Sequence, residues 1–299
     1  MATALIAPTE HPKVLAPAGL RELAICFSSL DDWKTLVCMA GRLALPANAS
    51  VQVCYKDLTT LPATSGTFSG HEYRIPFDSI PPSVDAAQAL RDMELNVELI
   101  DFPALRRESR QKLLSNREAD LILMTTAFSA SIALCSQDLA SGAVRLLRKP
   151  IFFLRADQRS ASTQNHTGPG VAAVSLSERS MPVVQHAARY AETLGVSLTV
   201  IHIVDSLHDF SRPDNLMSLM CACETLGKSV AQPGLRTSPR LTYGTVADVL
   251  TKADFIGNAS FVALGVNLSE GHNDAMESDT LRDTIVQNAP CPVLLIPTN

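Results

Sequence analysis

Two stretches of the chain show the same order of apolar runs and helical periodicity. In residues 23–56 an apolar run is followed by apolar positions at helical spacing and then by a second apolar run, and residues 171–204 repeat that order with similar lengths. Each stretch continues with a variable segment, a third strand, a helix, a fourth strand, a last helix and a last strand. The pattern therefore predicts an α/β chain with two tandem doubly wound domains, each with a five-stranded parallel sheet.

The strands of both copies are nearly continuous apolar runs, which is typical of strands that helices cover on both faces. The predicted strands are 23–28, 51–55, 96–102, 119–124 and 150–154 in the first copy, and 171–176, 197–204, 240–243, 259–265 and 292–296 in the second. The predicted helices are 33–45, 84–93, 104–116 and 141–148, then 183–194, 216–230, 246–258 and 280–287.

The domain boundaries follow from composition. Residues 157–169 contain Ser, Thr, Gln, Asn and Gly and almost no apolar side chain, which indicates a linker. We therefore predict domains at residues 15–158 and 168–299, joined by a linker at 159–167. Residues 59–83, rich in Pro, Ser, Thr and Gly, are predicted to form an enlarged loop inside the first domain.

Composition and charge narrow the classes of function. Of the 299 residues, 46% are hydrophobic and 18% are charged, with a net charge of −5, so the chain has a substantial core and no basic footprint for nucleic acid. No apolar run reaches the length of roughly 18 residues that a membrane span needs, and the first residues do not resemble a secretory signal. The seven cysteines are odd in number and scattered, which favours free thiols and a cytoplasmic location.

The order of these motifs resembles the universal stress protein family. In the second copy the resemblance lies in Leu198–Asp205 and in Ala289–Ile296, and in the first copy it lies in Ala119–Met124 and Leu146–Leu154. It implies two adenine nucleotide alpha hydrolase-like domains and pairing through the last strand of each. Because such short apolar edge strands favour pairing, we expect the two halves to form an internal pseudo-dimer, with association of two chains left open.

The resemblance also implies a nucleotide pocket at the carboxyl ends of the strands, but the chain departs from the family's pattern. In family members that bind ATP, an acidic residue ends the first strand and a G-x2-G-x9-G-(S/T) loop holds the phosphates. Here Ser28 and Ser175 stand at the acidic position, and the last glycine of the loop is replaced by Ser278 or Asp279. A carboxylate there would repel phosphate and cap the helix itself. The vestigial pocket of the second copy then comprises six residues: Ser175, Ile203, Gly265, Gly271, Asp279 and Thr280.

We therefore expect a non-catalytic stress-response or regulatory protein with degenerate pockets and no cofactor, acting through protein partners. One alternative is a sensor whose second copy binds ATP or another adenine nucleotide through Gly265, Gly271 and Thr280. A second alternative is a slow ATPase or a related enzyme, although no G-x-S-x-G nucleophile motif or paired carboxylate is evident.

A metal site could be drawn from six residues that follow the second strand of this copy: His202, Asp205, His208, Asp209, Cys221 and Cys223. Their spacing matches no known zinc pattern, and the two thiols of a C-x-C on a helix lie on different faces, so no metal is expected.

Overall fold

The computed structural model describes residues 19–28, 33–56, 82–101, 119–126, 128, 140–155, 168–205, 211–268 and 272–299. Its strands are β1 (Glu22–Ser28), β2 (Ser50–Lys56), β3 (Val97–Asp101), β4 (Leu121–Thr125), β5 (Ile151–Leu154), β6 (Gly170–Ala173), β7 (Leu198–Val204), β8 (Thr237–Tyr243), β9 (Phe261–Asn267) and β10 (Val293–Thr298). Its helices are α1 (Trp33–Ala47), α2 (Pro82–Arg91), α3 (Ala140–Leu147), α4 (Ser180–Thr193), α5 (Pro213–Ser229), α6 (Val246–Thr251), α7 (Ala253–Ile256) and α8 (His272–Asn288).

The strands form one continuous sheet of ten, in the order β3-β2-β1-β4-β5-β10-β9-β6-β7-β8. Within each half all neighbours are parallel, and the order of the second half mirrors that of the first. The halves meet at β5 and β10, which pair antiparallel with Leu294 opposite Phe152. The predicted fold class and the internal pseudo-dimer through the last strands are therefore confirmed.

Apolar side chains cover both faces of this sheet without a break between the halves. On one face Phe152 of β5 makes edge contacts with Tyr190 of α4 and Phe261 of β9, with ring centroids 5.6 Å and 5.5 Å apart. Each face of the sheet carries one cluster of buried apolar side chains, and each cluster contains residues of both halves. The two domains thus share their hydrophobic core.

Local signals explain most of the element boundaries. Helix α1 ends where Asn48 adopts a left-handed φ of 50°, and α4 ends before Gly195, whose φ is 67°. Asn and Gly are the residues that tolerate this conformation at a helix end. Proline at position 239 lies in β8, at the outer edge of the sheet, where a missing N–H costs no ladder bond.

Two predicted helices differ from the structure. The expected helix 246–258 is divided into α6 and α7, because Lys252 is extended with φ −89° and ψ 129°. The last helix was expected at 280–287, but α8 begins at His272 and includes Asp279. The predicted linker 159–167, the helix 104–116 and nearly all of the loop 59–83 lie outside the described residues.

Candidate functional site

A cavity of about 370 Å³ opens at the carboxyl ends of the central strands of the second half. It lies where β6 has β9 on one side and β7 on the other, so that the strand order reverses. Ligands of doubly wound sheets bind at this kind of position. The lining residues are Ala173, Val174, Ser175, Ser177, Arg179, Ser180, Val183, Ile201, His202, Ile203, Val246, Leu264, Gly265, Asn267, Leu281, Arg282, Ile285 and Thr298.

The strand ends give this cavity a hydrogen-bonding wall. Ser175 and Ser177 follow β6, and their hydroxyl oxygens are 3.0 Å apart. The His202 ring donates from Nδ1 to the backbone oxygen of Val174 at 2.8 Å, since a carbonyl can only accept. In the neutral ring this bond fixes the tautomer, and Nε2 is then an acceptor.

The amino-terminal end of α4 forms a second wall. Ser180, the first residue of the helix, is only 3% exposed, and its hydroxyl has no hydrogen-bond partner. Buried hydroxyl groups are nearly always hydrogen-bonded in native proteins, so an orphan in a cavity wall is unusual. Arg179 precedes it and also lines the cavity, and the positive end of a helix favours an anion.

Helix α8 brings Arg282 to the cavity and holds it by an ion pair. The Arg282 Nη1 donates to Oδ1 of Asp279 at 3.1 Å, one turn earlier on the same helix. Asp279 is fully buried and also binds the guanidinium of Arg145 from α3, with Nη2 2.9 Å from Oδ1 and a second bond from Nη1 to Oδ2. Its carboxylate therefore faces the other half of the chain.

The structure brings together half of the six predicted pocket residues. Ser175, Ile203 and Gly265 line the cavity, and a Cβ added at Gly265 would lie 3.0 Å from Val183 Cγ2, so a larger side chain there would crowd the cavity. Gly265 lies inside β9 and does not begin a loop.

The other three residues lie elsewhere. Gly271 falls outside the described residues, and Thr280 is exposed and absent from the lining. Asp279 was expected at the start of the last helix as its cap, which is wrong because α8 begins at His272 and Asp279 pairs with Arg145. The sequence analysis missed Arg179, Ser180 and Arg282, although the start of a helix just after the first strand is a signal that could have found the first two.

The first half carries aromatic rings at the corresponding strand ends. Phe27 of β1 and Tyr55 of β2 stand where the second half has Val174 and His202, and their ring centroids are 5.5 Å apart. Both rings belong to the core, with Phe27 fully buried. These two rings therefore stand at strand ends of the first half where the second half has cavity-lining residues.

Of the six residues considered for a metal, His208 and Asp209 lie outside the described residues. Cys221 is exposed and Cys223 is buried, as expected for alternate positions on a helix. Burial raises the pKa of the Cys223 thiol to about 11, which disfavours the thiolate that a metal requires. Among the described residues no group of three His, Cys, Asp or Glu side chains is arranged to hold a metal ion.

Fold and cavity together define a doubly wound α/β chain of two halves, with a cavity at the strand ends of the second half. Residues 171–297 match the model of the universal stress protein family. This match covers most of the second half of the chain, and the first half repeats the strand order of the second. No curated protein matches the sequence.

One solved structure agrees on the fold over most of the chain, and two others match over less than half of it. A universal stress protein from Archaeoglobus fulgidus DSM 4304 is 16% identical, with a TM-score of 0.57, and the match covers 92% of this chain and 96% of that chain. A universal stress protein from Archaeoglobus fulgidus in complex with dAMP is 18% identical, with a TM-score of 0.34, over 44% of this chain and 98% of that one. A universal stress protein in complex with cAMP is 16% identical, with a TM-score of 0.34, and the match covers 44% of this chain and 99% of that chain.

Among the helices in the part of the chain that the structure describes, none has the length and apolar character to span a bilayer.

Proposed function

We propose that this chain is a non-catalytic regulatory protein of the universal stress type, in which only the second half binds a small ligand. The ligand is an adenine nucleotide with few phosphates. The first half, which has aromatic rings at the corresponding strand ends, contributes a surface for protein partners. This combines the expected regulatory role with the sensor alternative, since the cavity of the second half is open.

The observation that carries this proposal is the composition of the cavity. One part of its wall is apolar, from Val174, Ile203, Val246 and similar side chains, and another part has the orphan hydroxyl of Ser180 beside Arg179. A ligand with a flat apolar ring joined to an anionic group fits a wall that has one apolar part and one polar, positively charged part. The cavity volume of about 370 Å³ lies at the lower end of the range for small-molecule sites, which favours a monophosphate over a triphosphate.

The lack of carboxylates and thiols among the described lining residues supports a role in sensing. None of the described lining residues is Asp, Glu or Cys, so the described wall offers no carboxylate for a magnesium ion and no thiolate nucleophile. An ATPase requires such groups or an intact phosphate loop.

Exposed apolar side chains support a partner surface on the first half. Leu45 of α1, Val84 of α2 and Leu99 of β3 are 48%, 40% and 39% exposed. Leu99 lies in a strand at the edge of the sheet, where a partner could add to the exposed backbone.

The experiment compares nucleotides on freshly purified protein. The protein is denatured and the supernatant is chromatographed for adenine nucleotides. Melting curves are then recorded with AMP, dAMP, cAMP and MgATP. A ligand at a hundred times its Kd stabilises the native state by about 2.7 kcal/mol, so we expect an upward shift of Tm with AMP that exceeds the shift with MgATP.

A Ser180→Ala variant sharpens the test. Because the hydroxyl is buried without a partner, its removal should leave the unliganded Tm unchanged or slightly higher, while AMP affinity falls by about fivefold through loss of one hydrogen bond. Ser141→Ala is the matched control, since that hydroxyl is also buried and unpartnered but does not line the cavity. No co-purified nucleotide and no shift with any of the four would contradict the proposal.

A further inference from the structure

The ion pairs around Asp279 join the two halves of the chain directly beside the cavity. Asp279 is fully buried on α8 and accepts hydrogen bonds from two guanidinium groups. One belongs to Arg282, which lines the cavity, and the other to Arg145, which lies on α3 of the first half and is not a lining residue. A carboxylate from the second half is thus shared between its own arginine and one from the first half.

A second contact ties the same arginine to the cavity wall. Arg145 Nε donates to the backbone oxygen of Asn267 at 3.3 Å, and Asn267 is a lining residue at the end of β9. Helix α3 is held in place by Asp283 of α8, whose Oδ1 accepts the backbone N–H groups of Ala140 and Ser141 at 3.0 Å and 3.2 Å. The first half therefore contacts the cavity wall through an arginine whose helix is fixed against α8.

The charges of this cluster determine what Arg282 can offer to a ligand. A buried carboxylate must be neutralised by a neighbouring cation, because the loss of hydration is otherwise very costly. With Arg282 as its neighbour alone, Asp279 would cancel the positive charge that Arg282 brings to the cavity. Arg145 supplies a second positive charge to the same carboxylate in paired bonds, which are the strongest arginine–carboxylate geometry.

We propose that Arg145 of the first half is a positioning residue for the ligand site of the second half. It neutralises Asp279, so that the charge of Arg282 acts on the anionic group of a ligand. The inference rests on the proposed binding of a phosphate-bearing nucleotide. It gives the first half a role in binding although aromatic rings stand at its own corresponding strand ends.

The test measures binding of AMP and of adenosine to the full chain by calorimetry. The Arg145→Gln variant should bind AMP about tenfold more weakly, which corresponds to weakening one hydrogen bond to a charged group. Its affinity for adenosine, which has no phosphate, should not change. Arg145→Lys keeps the charge and should retain most of the AMP affinity.

A second substitution separates charge from structure. In the Arg145→Gln, Asp279→Asn double variant the Asp279 carboxylate no longer draws on Arg282, so AMP affinity should return to within about twofold of the wild type. A role of Arg145 in packing alone predicts no such recovery. Arg42→Gln, at an exposed position of α1, is the control for removal of one positive charge from the first half.

The outcomes distinguish this inference from the proposed function. If the wild-type chain does not bind AMP, both are overturned. If it binds AMP and the Arg145→Gln variant binds equally well, only this inference is wrong. Two further outcomes would also overturn this inference in favour of a purely structural role of Arg145. One is that Arg145→Gln loses affinity for AMP and for adenosine equally. The other is that adding Asp279→Asn to Arg145→Gln does not restore the affinity for AMP.

Discussion

A group of polar side chains with buried nitrogen and oxygen atoms lies on one face of α4, on the side of the sheet where Tyr190 contacts Phe152. The Nδ1 atom of His186, the hydroxyl of Tyr190, and Nε and Nη2 of Arg189 are buried without hydrogen-bond partners. Burial, and next the neighbouring Arg189 charge, lower the pKa of His186 from 6.5 to about 4. His186 is therefore neutral in the folded protein at pH values where it is charged in the unfolded chain.

That difference predicts a loss of stability in mild acid. The folded-state pKa is depressed below the unfolded value, so the unfolded chain takes up the proton first as the pH falls. The contribution of His186 is fully present above pH 6.5 and declines towards pH 4, by on the order of 1–3 kcal/mol. Urea unfolding between pH 7.5 and 4.5 should show that decline, and His186→Leu should make it shallower. Gln185→Leu, one position away on the same helix, should leave the slope as in the wild type.

The elements that sequence periodicity predicted well are those with purely local causes. Apolar runs located the described strands except β8, of which only residues 240–243 were predicted, and Gly195 marked the end of α4. The start of α8 was missed because Ser278 and Asp279 before Thr280 have the composition of a helix cap. Asp279 instead pairs with Arg145, 134 residues away in sequence, and no local pattern can reveal such a contact.

The candidate site likewise contains residues that local sequence patterns could place and residues that they could not. Ser175, Ile203 and Gly265 could be placed because the carboxyl ends of parallel strands meet at one edge of a sheet. The position of Arg282 depends on how α8 packs against α3, and therefore on the pairing of the halves. The contact between Phe27 and Tyr55 at the corresponding strand ends of the first half likewise depends on side-chain packing.

Helix α3 offers a test of that pairing at the scale of an element. Its first N–H groups, those of Ala140 and Ser141, are capped by Asp283 from the other half. Asp283→Ala should lower the free energy of unfolding by about 1–2 kcal/mol, the usual cost of losing a cap, and Asp283→Asn should cost less because an oxygen acceptor remains. Asp92→Ala, at an exposed turn where the carboxylate contacts only Gln88, should change stability by less than about 0.5 kcal/mol. Urea unfolding at neutral pH measures all three, and equal effects of Asp283→Ala and Asp92→Ala would contradict the cap.

At the scale of the whole molecule, the continuous sheet makes the two halves a single cooperative unit. Both faces bury apolar clusters that contain residues of both halves, and β5 and β10 complete the sheet between them. Exposing the apolar surface that the halves share would cost either half free energy of folding. The second half, with the open cavity, therefore depends for stability on the first.

Phe152 tests this dependence because it belongs to the first half and packs on the second. Its ring is fully buried against Tyr190 and Phe261, so Phe152→Ala should cost about 3–5 kcal/mol. In a cooperative unit, amide hydrogen exchange in β6 and β9 of the second half should accelerate by the same free energy as in β1 of the first. The control is Phe255→Ala, at a side chain on α7 that is 37% exposed. It should not accelerate amide hydrogen exchange in either half by a comparable amount. If the amides of β6 and β9 keep their protection in Phe152→Ala, the halves fold independently. The ligand site would then not require the first half for its stability, and only the charge of Arg145 would connect them.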